Sequence, residues 1–82
     1  MEIRVLKYFI TVAQEQSFSK AAKVLNISQP ALSKQIKDLE EKYKITLFNR
    51  TTRSLSLTKE GQLFKVHAKE ILNLVRSEEH TS

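Results

Sequence analysis

The stretch NISQPALSKQIKDLE, residues 26–40, gathers hydrogen-bonding side chains at one end of an amphipathic run. Gln29 presents a donor and an acceptor side by side, the hydroxyls of Ser28 and Ser33 can do either, and Lys34 carries three donors on a flexible stem. That set suits recognition, because nothing in it moves a proton or attacks carbon at neutral pH. Elsewhere the reactive inventory is thin. His67 and His80 are the neutral-pH bases, and there is no acid pair, glycine-rich phosphate loop or metal-ligand spacing. With no cysteine, disulfides and thiolate metal sites are excluded. The expectation is a binding protein without enzymatic activity, cofactor or metal, in which His67 is a partly exposed helix residue.

The balance of charge indicates what would be bound. Fourteen Lys and Arg oppose nine Asp and Glu over 82 residues, a net charge of +5 that favours a polyanion, either nucleic acid or an anionic membrane. No apolar run approaches the roughly 20 residues of a membrane span. The opening MEIRVLKYFITVAQ has an early acid and a helical period, unlike a signal peptide. A soluble, cytoplasmic chain with one small core and no membrane partner is expected.

Apolar residues recur at helical spacing in four places, and these elements must position the polar cluster. Ile3, Leu6, Phe9, Ile10 and Ala13 predict a helix over 2–15. Ser17 is placed to cap a short second helix with Phe18, Ala21, Ala22 and Leu25 on one face, and Asn26, tolerant of the left-handed conformation, to stop it. Ser28 and Pro30 then open a third helix near 29–43, burying Leu32, Ile36, Leu39 and Tyr43 and exposing Pro30, Lys34, Lys37 and Glu41. The next run, ITLFNRTTRSLSLT, surrounds a polar centre with β-branched and aromatic residues, as a two-stranded hairpin of about 46–57 would, although its turn lacks glycine. Thr58 can cap a fourth helix whose stripe is Phe64, Ala68, Ile71 and Val75, widened by Leu63 and Leu72.

Helix, short helix, tight turn, helix, hairpin is the order of a winged helix-turn-helix: a mostly α fold with a three-helix core, a two-stranded β wing and, here, a long C-terminal linker helix. In it the helix after the turn enters the major groove with its N-terminal residues at the base edges. Gln29 could then pair with adenine, Ser33 with a base or phosphate and Lys34 with guanine, while Pro30 offers an apolar edge to a thymine methyl. Asp38, Glu40 and Glu41 all fall in the second half of the helix, away from the DNA end. Lys37, on the exposed face, is expected at the DNA backbone. The hairpin centre from Asn49 to Arg53 sets two arginines among hydroxyl and amide side chains, suited to phosphate oxygens and a narrow minor groove. A Ser-Gln-Pro opening is also an ordinary helix start, and polar turn residues are ordinarily just solvated; the combination favours the interface.

SFSKAAKVLNISQPALSKQIKDLE followed by LFNRTTRSLSLTKEG resembles the N-terminal DNA-binding domain of LysR-type transcriptional regulators, over nearly residues 1–75. The resemblance implies that Gln29, Pro30, Ser33 and Lys34 face bases, that Arg53 lies at the minor groove, and that Ser28, Gln35, Arg50 and Thr52 contact the backbone. It implies double-stranded DNA with an interrupted inverted repeat as partner. Where the family commonly has arginine this chain has Lys34, exchanging a planar fork for a point charge. Two glycines usual in the family are Gln16 and Lys44 here, and Lys44 is expected in a less comfortable turn conformation.

The expected organisation is a winged helix-turn-helix over 1–57, a linker and dimerisation helix over 58–76, and a non-native or disordered tail over 77–82. The stripe Phe64, Ala68, Ile71 and Val75 looks wider than the small wing and third helix can cover, so a homodimer through that helix is expected, antiparallel by resemblance. The closing RSEEHTS looks like a sequencing-adapter oligonucleotide translated in frame, the alternative being a solvated helix end. Family members continue into a larger effector-sensing domain, for which 82 residues leave no room, so a small-molecule effector would act only through that absent C-terminal domain. A winged helix serving protein contacts, and RNA binding, are the weaker alternatives.

Overall fold

Three of the helices begin at side-chain hydroxyl caps, and three end at left-handed residues. The computed structural model of the chain describes residues 2–51 and 54–81, with side chains through Val75. In order come α1 (Ile3–Glu15), α2 (Phe18–Leu25), α3 (Gln29–Tyr43), β1 (Phe48–Arg50), β2 (Leu55–Leu57) and α4 (Lys59–Thr81). Ser17 accepts the Lys20 N–H at 3.1 Å, Ser28 the Ala31 N–H at 3.2 Å and the Thr58 hydroxyl the Gly61 N–H at 2.9 Å, so α2, α3 and α4 each have an orphan donor satisfied. Gln16, Asn26 and Lys44 close α1, α2 and α3 with φ of 54°, 58° and 55°. Lys44 therefore takes the conformation expected to be costly for a residue with a Cβ, and Gln16 does the same.

The core forms where α1 crosses the other three helices. Leu6, Phe9, Ile10 and Val12 of α1 meet Ala21 and Ala22 of α2, Leu32, Ile36 and Leu39 of α3, and Ala68 of α4. The small alanines of α2 let its backbone approach closely. Val12 is fully buried although it lies outside the stripe read from the sequence, because α1 is covered from several sides by α2, α3 and α4. Phe9 is the centre of the packing. Its ring stacks on Phe64 at 4.9 Å and tilts against Phe48 at 5.4 Å, linking α4 and the wing to α1. Truncating such a residue to alanine typically costs about 3–5 kcal/mol.

The wing is an antiparallel pair with Phe48 opposite Leu57, Asn49 opposite Ser56 and Arg50 opposite Leu55. Its base is fastened to the start of α4. The Thr58 N–H donates to the Leu47 carbonyl at 3.0 Å and the Thr58 hydroxyl to the Thr46 carbonyl. Gly61 fits against the same carbonyl so closely that a Cβ there would lie 2.1 Å from the Leu47 oxygen.

Two expectations about buried faces require correction. Tyr43 is 43% exposed instead of buried, because it is the last residue of α3 and the chain folds back at the Lys44 cap, the Ile45 N–H donating to the Glu40 carbonyl at 3.0 Å. Ile45 and Leu47 then pack against the core. The set Phe64, Ala68, Ile71 and Val75 is also divided. Ala68 is buried in the chain's own core, Phe64 is stacked on Phe9 and Val75 is half-buried, leaving Ile71, at 41%, as the exposed member. The reason is that α1 packs across that side of α4. The α4 backbone stays helical to Thr81, past residue 76, where the linker helix was expected to end.

Candidate nucleic-acid interface

The exposed end of α3 and the outer edge of the wing form one surface. Ser28 lies outside the helix with φ −72° and ψ 150°, its hydroxyl held as the cap, and the first turn of α3 carries no acid. The positive end of the helix dipole is therefore left unneutralised where an anion could approach. Gln29 and Pro30 are exposed in that turn, Lys34 and Lys37 follow on the exposed face, and Ser33 is half-buried. The Lys34 ammonium pairs with Asp38, its Nζ 3.1 Å from Oδ2, one turn further from the N-terminal end of the helix.

Gln29 and Arg50 border a single depression of about 410 Å³ together with Phe18, Ser19, Thr51 and Ser54. This brings the N-terminal end of α3 and the wing, 21 positions apart in sequence, to one place. Thr51 and Ser54 fasten the ends of the wing together: the Thr51 N–H donates to the Ser54 carbonyl at 3.1 Å and the Ser54 N–H to the Thr51 hydroxyl at 3.2 Å. Lys37 and Arg50 share a second depression, on the wing side of α3, with Glu41 and Lys44.

Other predicted site residues are not gathered there. Gln35 is half-buried and faces the opposite flank, in a depression with Glu2, Arg4, Asp38 and Lys42. Thr52 and Arg53, expected at the backbone and the minor groove, lie outside the described residues.

Glu40 and Phe18 were not singled out as site residues, yet both hold Arg50. The Glu40 carboxylate accepts from the guanidinium, and the guanidinium carbon lies 5.2 Å from the centroid of the Phe18 ring. A signal for Glu40 was available, since Gln29, Ser33 and Glu40 fall on one line of a 3.6-residue helix. Among the described residues no group of three or more His, Asp or Glu is placed to hold a metal ion, and no helix is long and apolar enough to cross a membrane.

Comparison with known proteins gives a consistent picture. Residues 3–62 match the model of the bacterial regulatory helix-turn-helix protein, lysR family. The chain is 53% identical to the HTH-type transcriptional regulator BudR of Klebsiella aerogenes over 74 residues, 90% of this chain and 52% of BudR. It is 50% identical to the HTH-type transcriptional regulator BsdA of Bacillus subtilis over 74 residues, 89% of this chain and 26% of BsdA. The chain thus spans about half the length of the first and a quarter of the second. In three dimensions it resembles the crystal structure of the BenM_DBD/catB site 1 DNA complex, with a TM-score of 0.95 and 44% identity, covering 99% of this chain and 90% of that one. BenM is a regulator of Acinetobacter baylyi. The CbnR_DBD-DNA complex matches with a TM-score of 0.90 and 40% identity, covering 99% and 94%.

Proposed function

Because the chain belongs to the LysR family of bacterial regulatory helix-turn-helix proteins, we propose that it binds double-stranded DNA sequence-specifically, as the DNA-binding domain of a cytoplasmic transcriptional regulator. In this reading the N-terminal half of α3 lies in the major groove. Gln29, Pro30, Ser33 and Lys34 meet base edges, with Arg53 at the minor groove. Ser28, Gln35, Lys37, Arg50 and Thr52 bind the phosphate backbone. The observation that carries it is the shared depression between Gln29 and Arg50, which puts an amide able to read a base edge and a guanidinium able to bind phosphate on one open surface.

Two protomers would pair through α4. Leu63, Val66, Ile71 and Leu74 are 62%, 54%, 41% and 69% exposed and lie along one side of the helix, the first and last about three turns apart. Such an apolar line in water favours a partner helix. A dimer would offer two recognition helices to successive major grooves about 34 Å apart and so select an interrupted inverted repeat. A small-molecule effector would act through a further C-terminal domain of the kind its longer relatives have room for.

Selection of bound duplexes from a random pool, followed by a gel shift, tests the function. The selected duplex should shift and an unrelated duplex should compete poorly. Equal competition means non-specific binding, and no shift at all favours a winged helix used for protein contacts.

A further inference from the structure

Arginine side chains on exposed wings are ordinarily mobile, but Arg50 is gripped from two sides. Glu40, in the last turn of α3, points its carboxylate at β1. Its Oε2 accepts the Leu47 N–H at 2.7 Å and the Phe48 N–H at 3.3 Å, and its Oε1 accepts Nη2 of Arg50 at 3.3 Å. The Glu40 side chain is 13% exposed, against 48% for Arg50. From α2, the Phe18 ring supports the guanidinium, and Phe18 is itself fixed edge-on to Phe48 at 5.8 Å. One carboxylate therefore joins the recognition helix to the wing's backbone and to the wing's cation.

We infer that Glu40 is a positioning residue of the DNA interface, which touches no nucleic acid but holds the Arg50 guanidinium beside Gln29 in the free protein. This rests on the reading of Arg50 as a phosphate contact. A long side chain loses rotamer freedom when it binds, and an arginine ordered beforehand loses less of it on meeting DNA. An acid near a phosphate would ordinarily repel it. Glu40 avoids this because it is nearly covered and its charge is shared among two backbone N–H groups and the guanidinium. Were the contacts to Leu47 and Phe48 its whole role, Glu40 would serve only the wing's fold; the bond to Arg50 distinguishes the two.

The test is a double-mutant cycle on the 82-residue chain with Glu40→Gln, Arg50→Ala and the double variant. Binding is measured to a duplex recovered by selection with the unaltered chain and to a scrambled duplex, alongside thermal melting of each protein. Arg50→Ala should weaken both duplexes. Glu40→Gln should weaken both by about two- to tenfold, the effect of ordering one rotamer-rich side chain. The double variant should bind no more weakly than Arg50→Ala alone. An equal loss from Glu40→Gln in the Arg50→Ala background overturns the inference, since the acid would then act without the arginine. Tighter binding by Glu40→Gln overturns it too, because Glu40 would be competing with DNA for Arg50. If Arg50→Ala alone changes neither duplex, the phosphate contact is refuted and the positioning role falls with it, and the single variant identifies that case. Should Glu40→Gln not fold, nitrogen relaxation of Arg50 Nε in the free unaltered chain still decides: order close to the backbone supports the inference, and mobility like that of an exposed lysine overturns it.

Discussion

Lys34 and Asp38 are ion-paired one turn apart on the open face of α3, with Nζ 3.1 Å from Oδ2 and side chains 74% and 55% exposed. A pair this exposed is worth about 0–1 kcal/mol, so DNA can draw the lysine away at little cost. A point charge facing guanine would read it less selectively than an arginine fork. Lys34→Arg should therefore raise the ratio of specific to scrambled affinity, by at most the 1–3 kcal/mol or so that a bidentate base contact supplies. Competition binding on both duplexes measures it. An unchanged ratio would mean that position 34 does not face a base.

The close approach of Gly61 to Leu47 makes the junction between wing and α4 sensitive. A methyl at position 61 would meet the Leu47 carbonyl oxygen at 2.1 Å, and backbone cannot swing aside as a side-chain end can. Gly61→Ala should destabilise the fold by roughly 1–3 kcal/mol, as overpacking usually does. Urea unfolding would show this as a lower midpoint, and wild-type stability would show that the wing can shift freely from α4.

Gln16 and Lys44 sit at φ of 54° and 55°, where a Cβ is unfavourable by about 1–2 kcal/mol and glycine is not. Part of that gain returns as the extra flexibility of glycine in the unfolded chain. Gln16→Gly and Lys44→Gly should each stabilise by roughly 0.5–1 kcal/mol, a rise of a few degrees in Tm for a domain of this size. Calorimetry is the check. A fall in Tm for both would show that neither residue is strained.

The helices, their caps, the turn at Asn26 and the hairpin were legible because each has a local cause: an N-cap hydroxyl, an Asn tolerant of positive φ, a proline at a first turn, β-branched residues either side of a polar centre. What was not legible is which neighbour covers an apolar face. Periodicity marked Phe64, Ala68, Ile71 and Val75 as apolar, but only the packing of α1 across α4 shows that Ala68 belongs to the chain's own core. Tyr43 was misread for a related reason, since a stripe says nothing of where the chain turns away. Within the site, Gln29, Lys34 and Arg50 were visible as types of side chain, whereas the part Glu40 plays depends on a contact spanning ten residues of sequence.

The face that remains open on α4 gives a prediction for assembly. Leu63→Glu with Leu74→Glu should leave a folded chain, since both side chains are more than 60% exposed, but reduce self-association and weaken binding to a two-fold duplex. Ala68→Glu, by contrast, should unfold it, because an unpaired carboxylate would enter the core. Sedimentation with circular dichroism separates the outcomes. An unaltered chain that stays monomeric even on DNA would contradict the proposed dimer.

Base reading by the start of α3 is the central claim, and a salt titration of Gln29→Ala and Arg50→Ala on a selected and a scrambled duplex tests it most directly. Gln29→Ala removes no charge, so it should lose on the order of 1–3 kcal/mol on the selected duplex, little on the scrambled one, and leave the slope of log affinity against log salt nearly unchanged. Arg50→Ala should weaken both duplexes and make that slope shallower by roughly one unit per protomer. If Gln29→Ala instead weakens both duplexes equally with a shallower slope, the N-terminal end of α3 does not read bases through this residue.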